Sequence, residues 1–136
     1  MANEAVIVEN PKINRQFTAV DGVNISKGTL CAIQDPKTAV LSAKKGEFFA
    51  GIAAADKESG DGATEIALAV DGIFDLAVVD GNAAISAGEM VVLSGANTIT
   101  LADDDAAENY GMVVGMALED AAADTSETIQ VDIGRR

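Results

Sequence analysis

Residues 25–28 read ISKG and residues 85–88 read ISAG, and from these two tetrapeptides the chain repeats itself at an offset of 60 residues. The match continues through LCAIQDPKTAVLSAKK (30–45) against MVVLSGANTITLADDD (90–105). It resumes after a short insertion with FAGIAAAD (49–56) facing VVGMALED (113–120), and it closes with EIALAVDG (65–72) against TIQVDIG (128–134). The entries agree too, Val20-Asp21-Gly22 before one copy and Val79-Asp80-Gly81 before the other. Self-similarity at a fixed period means one supersecondary unit used twice. A unit of this size buries only about 60 % of the surface its unfolded chain exposes, so the copies are expected to lean on each other.

Each copy reads as short strands. Mostly apolar runs at 29–33 and 89–93 follow Gly28 and Gly88, and the runs at 39–41 and 98–101 come after turns at 34–37 and 94–97. Those turns carry the residues turns favour, Asp35-Pro36 in one and Gly95 with Asn97 in the other. The last strand of each copy alternates, Ile66, Leu68, Val70 and then Ile129, Val131, Ile133, which is the period of a half-buried strand. A strand-like run at 73–79 joins the copies directly, and the one helical candidate is a turn or two at 103–109. The predicted fold is all-β, with many short strands and Gly-rich turns, built from an internal duplication of about 60 residues. Residues 1–14 are predicted to form an extended N-terminal arm, and 15–136 a β domain of two repeats, 15–72 and 73–134.

Hydrophobic residues make up 49 % of the 136, but aromatics only 4 %, with no Trp. A core without large anchors, each of which buries about 150–250 Å², points to stability gained through association. With 22 acidic and 9 basic residues and a net charge of −13, the chain lacks the clustered cations that phosphate backbones or anionic membranes require. Neither nucleic acid nor membrane is an expected partner. Cys31 is the only cysteine and lies in an apolar run, as a buried structural thiol does. The opening MANEAVIVENPK has no basic segment of a signal peptide, and no stretch approaches the about 20 apolar residues of a membrane span. A soluble protein made in a cytoplasm is expected.

Histidine is absent, which removes His-based triads, general bases and His metal ligands. GxSxG, Walker A, GxGxxG and CxxC motifs are also missing, so no catalytic residue, cofactor or metal is expected. Asp103-Asp104-Asp105 faces Ala43-Lys44-Lys45 in the other copy, so its charge reads as that of a variable surface loop. The stretch 56–62 resembles a calcium loop but lacks its spacing and closing Glu, and reads as a hairpin tip. Gly28 pairs with Gly88 and Gly51 with Gly115, which marks backbone positions needing positive φ or close approach, with turn geometry preferred.

The I-S-x-G opening, the short hairpin, and then a Val-Gly-x-Ala-Leu-Glu-Asp-Ala-Ala-Ala stretch resemble tailed-phage capsid cement, or decoration, proteins. Residues 85–88 and 114–123 carry the resemblance best, and 50–56 follow more loosely. The resemblance implies a structural, non-enzymatic module, a small β-barrel or β-tulip-like fold, on the outer surface of an icosahedral head. There it would assemble as a homotrimer and bridge neighbouring major capsid protein subunits, with an N-terminal arm reaching onto the capsid floor or an adjacent copy. Residues 2–13 suit that arm. The capsid or inter-subunit contacts expected on this basis are Ala5, Val6, Ile7 and Val8, with Ile13, Phe17 and Phe74 as apolar anchors. A β-clip-type ligand-binding domain is the alternative; it predicts a larger parent protein, whereas this chain starts at Met1 and closes after the second copy. An acidic-residue metalloenzyme comes third.

Overall fold

The computed structural model describes residues 3–20, 22–43, 45, 47–102 and 111–134. These contain eleven strands and no helix; the helical candidate at 103–109 lies outside them. In chain order the strands are β1 (Val6–Glu9), β2 (Asn14–Ala19), β3 (Leu30–Asp35), β4 (Thr38–Leu41), β5 (Phe48–Ala53), β6 (Glu65–Ala69), β7 (Ile73–Val78), β8 (Met90–Gly95), β9 (Thr98–Leu101), β10 (Val113–Ala117) and β11 (Thr128–Ile133).

Five strands close a barrel in the order β2-β4-β3-β5-β6, and β7-β9-β8-β10-β11 close a second ring in the corresponding order. Closure depends in both on a short parallel pairing. Thr18 and Ala19 lie beside Thr38 and Ala39 in the first barrel, and Ala77 and Val78 lie beside Thr98 and Ile99 in the second. The repeat therefore resolves as two barrels. Both hairpin tips turn through a left-handed residue, Lys37 at φ 49° and Asn97 at φ 57°.

The glycine pairs divide by role. Gly28 and Gly88 sit in turns at φ 90° and 97°. Gly51 and Gly115 instead lie inside β5 and β10, where a neighbouring strand crosses closely. A Cβ on Gly115 would stand 2.2 Å from Asp132 O, and one on Gly51 would stand 2.8 Å from Ala69 O.

Strand β5, the first half of β3 and the end of β6 are buried on both faces. Inward they line the first barrel through Cys31, Ala50, Ala53, Ile66 and Leu68, joined by Ala19, Ile25 and Ala39. Outward, Leu30, Ala32, Phe49, Ile52 and Ala69 join the core of the second barrel, built from Leu76, Val91, Leu93, Ile99, Val114, Val131 and their neighbours. Period-two alternation puts successive residues on opposite faces, so these strands contribute to two cores at once.

The segment expected as an arm is bound to the body through its described residues. β1 extends the second barrel by antiparallel pairing with β7, Val6 opposite Asp75 and Ile7 opposite Phe74. The Ala5 N–H donates to Gly28 O at 2.8 Å, which fastens the strand's start to the first barrel. Both the Lys12 and Ile13 N–H groups donate to Asp71 Oδ1 at 2.9 Å. An apolar stretch with a free sheet edge within reach pairs with it because its backbone groups then gain partners.

Candidate functional site

The side chains that set the two barrels apart are on their surfaces. Among the described residues, the exposed large apolar side chains are Val6, Ile7, Val8, Ile13, Val20, Ile33 and Phe48, all in β1, the segment after it, or the first barrel. The second barrel, residues 73–134, contributes none of them. Charge divides the same way: residues 73–134 hold twelve acids and no Lys or Arg, whereas residues 15–72 hold eight acids and six bases. The first barrel bears bases among its acids and the second bears acids alone, which makes the molecule electrically lopsided.

Of the residues singled out from sequence, Val6, Ile7 and Val8 are exposed on β1, with Val6 the most open at 60 %. All four β1 residues are exposed, so the strand is an edge that presents apolar side chains. Ala5 is half-buried against the larger core. Ile13 is exposed, and Phe17 packs partly buried on the first barrel's core. Phe74 does not join the face. It points inward from β7 with Leu76 and Val78 and is 3 % exposed, so its ring serves the core and also floors a cavity of about 260 Å³ beneath β1, beside Ala5, Ile7 and Pro11.

Sequence reasoning missed Val20, Ile33 and Phe48. Phe48-Phe49 carried a readable signal: adjacent rings on a strand go to opposite faces, so with Phe49 in the core Phe48 had to leave it. Phe48 leans over the second barrel, where a Cβ on Gly111 would lie 2.7 Å from its ring. Ile33 shares parity with buried Cys31 yet is exposed, whereas its counterpart Leu93, beside the same strand irregularity, is buried. Val20 rims an apolar groove of about 260 Å³ lined by Val23, Ile25, Ala39, Val40 and Leu41.

The barrels meet through a polar latch. Asn97, at the β8–β9 tip, accepts the Leu30 N–H through Oδ1 at 2.9 Å, and its own N–H donates to Ser42 Oγ at 3.1 Å. Ser42 Oγ donates in turn to Gly95 O at 2.9 Å. These groups are buried at the joint, and each has found a partner as buried polar groups must.

Two titratable groups are perturbed, neither on the apolar face. Burial pushes the Cys31 thiol up to about 12, which makes it unreactive; its Sγ–H lies 3.6 Å from Thr29 O. Asp61 is held below the ordinary carboxyl value, first by the Ala63 N–H at 2.8 Å, then by the Glu58 N–H and by Lys57 Nζ at 3.3 Å. That set is a loop clasp around Lys57, itself 4 % exposed. Among the described residues no group of three or more His, Cys, Asp or Glu side chains is placed to hold a metal ion. None of their helices is long and apolar enough to cross a membrane.

Residues 10–133 match a family described as phage cement protein. No curated protein matches the chain.

Proposed function

The chain belongs to the phage cement protein family, and from that premise we propose that it binds the outer surface of an icosahedral phage head as a homotrimer. There it bridges neighbouring major capsid protein subunits and stabilises the shell. The observation that carries the reading is the confinement of every exposed large apolar side chain among the described residues to positions 6–48. In this reading Val6, Ile7, Val8 and Ile13, with Val20 and Phe48, meet the capsid. The acidic second barrel meets the capsid only through β1 on its β7 edge and, with no base to offer phosphate, contributes nothing to nucleic-acid binding. Cementing needs no chemistry, only bridging free energy. Several modest contacts engaged together raise the effective concentration of each and slow release.

Co-sedimentation with capsids stripped of accessory proteins tests it. Saturable binding at a fixed ratio to the major capsid protein is expected, and Val6→Asp with Phe48→Asp should weaken it at least tenfold. Those positions are exposed, so the variant should keep its melting temperature. Wild-type protein that stays in the supernatant would sink the reading.

A further inference from the structure

The joint between the barrels has an unused counterpart. It is head to tail: the β8–β9 tip of the second barrel seats on a ledge of the first, at Leu30 and Ser42. At the 60-residue offset that relates the two copies, Lys37 answers to Asn97, Met90 to Leu30 and Ala102 to Ser42. A two-fold joint would bring Lys37 to Met90 as well, yet residues 33–37 at the first tip are all exposed. Heterologous contacts leave one end of each kind open and propagate until a ring closes.

We propose that copies of this chain associate head to tail, the β3–β4 tip of the first barrel seating on the β8 ledge of the next copy's second barrel. Shape supports the fit. Lys37 and Asn97 adopt the same left-handed turn, at φ 49° and 57°, a conformation that Asn tolerates more readily than Lys. The ledges match as well: the Ser42 N–H donates to Leu30 O at 3.0 Å, and the Ala102 N–H donates to Met90 O at 3.0 Å. The chemistry at the open ends is complementary but differs from the internal latch. Where Asn97 and Ser42 exchange hydrogen bonds, the free tip offers exposed Ile33 and the Lys37 cation, and the free ledge offers half-buried Met90 and Ala102 flanked by exposed Glu89. Ile33 covers the thioether and methyl while Lys37 meets Glu89 on a barrel that carries no base of its own. Oppositely charged patches speed and orient such encounters. A ring that closes after three chains would give the homotrimer of the capsid reading, on which the contact rests for its setting.

Sedimentation velocity tests the contact in solution. Wild-type protein should sediment above the 13.8 kDa of the monomer and shift toward it as salt rises. The tip variant Ile33→Asp with Lys37→Glu and the ledge variant Met90→Glu should each be monomeric with cooperative melting. Their equimolar mixture should form a dimer and nothing larger, because one intact tip and one intact ledge remain. Ala102→Glu replaces Met90→Glu if the latter melts early. A monomeric wild type, or a mixture that stays monomeric, would overturn the proposal; so would a ledge variant that still assembles, since tip would then be meeting tip. Capsid co-sedimentation separates the two readings. Wild-type protein that binds capsids while remaining a monomer sinks the head-to-tail contact alone, and one that assembles but ignores capsids sinks the cement role alone.

Discussion

The first barrel and the second follow the same strand order around the ring but are filled differently. At matching inward positions the first carries Ala19, Cys31, Ala39 and Ala50 where the second carries Val78, Val91, Ile99 and Val114. Burial stabilises by about 0.8 kcal/mol per methylene, so the second barrel's lumen holds several kcal/mol more than the first's. The first makes up ground outside its own ring, by lending Leu30, Phe49 and Ile52 to the joint core. The arrangement of strands follows from the pattern of inward positions, whereas the stability and stickiness of each barrel follow from which residues fill them. The second is the self-sufficient body; the first is thinly filled, leans on it, and displays the apolar surface.

The comparison breaks hardest at the paired glycines. Gly115→Ala would drive a Cβ into the Asp132 carbonyl at 2.2 Å, and backbone on both sides leaves little to yield. It should cost about 3 kcal/mol or more in urea unfolding. Gly51→Ala meets its neighbours at the looser 2.8 Å but adds a Cβ to a backbone at φ 155°, so it should cost a comparable amount; a near-neutral Gly51→Ala would mean that neither the crossing nor the dihedral constrains it. Next, Ile99→Ala reproduces Ala39 in the wrong barrel and should cost about 3 kcal/mol by leaving a cavity. In native-state hydrogen exchange, the amides of Cys31, Ala50 and Leu68 should open before those of Val91, Val114 and Val131. Uniform protection would contradict the ranking.

Much of this pattern was legible. The offset gave matching strands, and the turn residues at 34–37 and 94–97 located both hairpins, because left-handed turns restrict composition. Closure into two rings was not legible, since it depends on two-residue parallel pairings that leave no periodic trace. Phe74 shows a different failure. Its alternation with Leu76 and Val78 marks an inward face, but a large ring near a repeat junction equally suits an anchor, and only knowing what lies on each side of β7 decides. The Val6–Val8 run looked like an arm because an apolar stretch does not name the edge it will join.

Two pH limbs sharpen the contrast further. Cys31 is buried where the second barrel has Val91, and its thiol is raised from 9.0 to about 12. Above the unfolded value the unfolded chain loses this proton while the folded one keeps it, so stability should fall from about pH 8.5 upward. Cys31→Val should flatten that limb, and the native thiol should resist thiol reagents until unfolding. The smallest effect lies at the loop ends. Asp61, depressed by the Ala63 N–H and its other donors, contributes stability that is present above the unfolded carboxyl value of about 3.9 and lost as pH falls through its lower folded one. The matching loop of the second barrel has Ala121 in place of Lys57; neutral Asn82 Oδ1 accepts the Thr125 N–H at 3.3 Å, and Glu127 Oε2 accepts the Ala122 N–H at 3.1 Å. The Glu58 and Ala63 amides, held by Asp61, should therefore loosen in acid before the Thr125 amide held by Asn82, and Asp61→Asn should remove the pH dependence of the first pair.

The pairing of β1 with β7 also sets a timetable. In order of synthesis β1 comes first, yet the edge it joins lies more than 60 residues later, beyond the whole first barrel. Chains emerge at about 5–20 residues per second, so β1 waits for seconds as an unpartnered apolar strand while the weaker barrel forms behind it. Contacts this distant in sequence are slow to close. The thinly filled barrel must thus form and persist without the neighbour it leans on, and the first strand made is among the last to be placed.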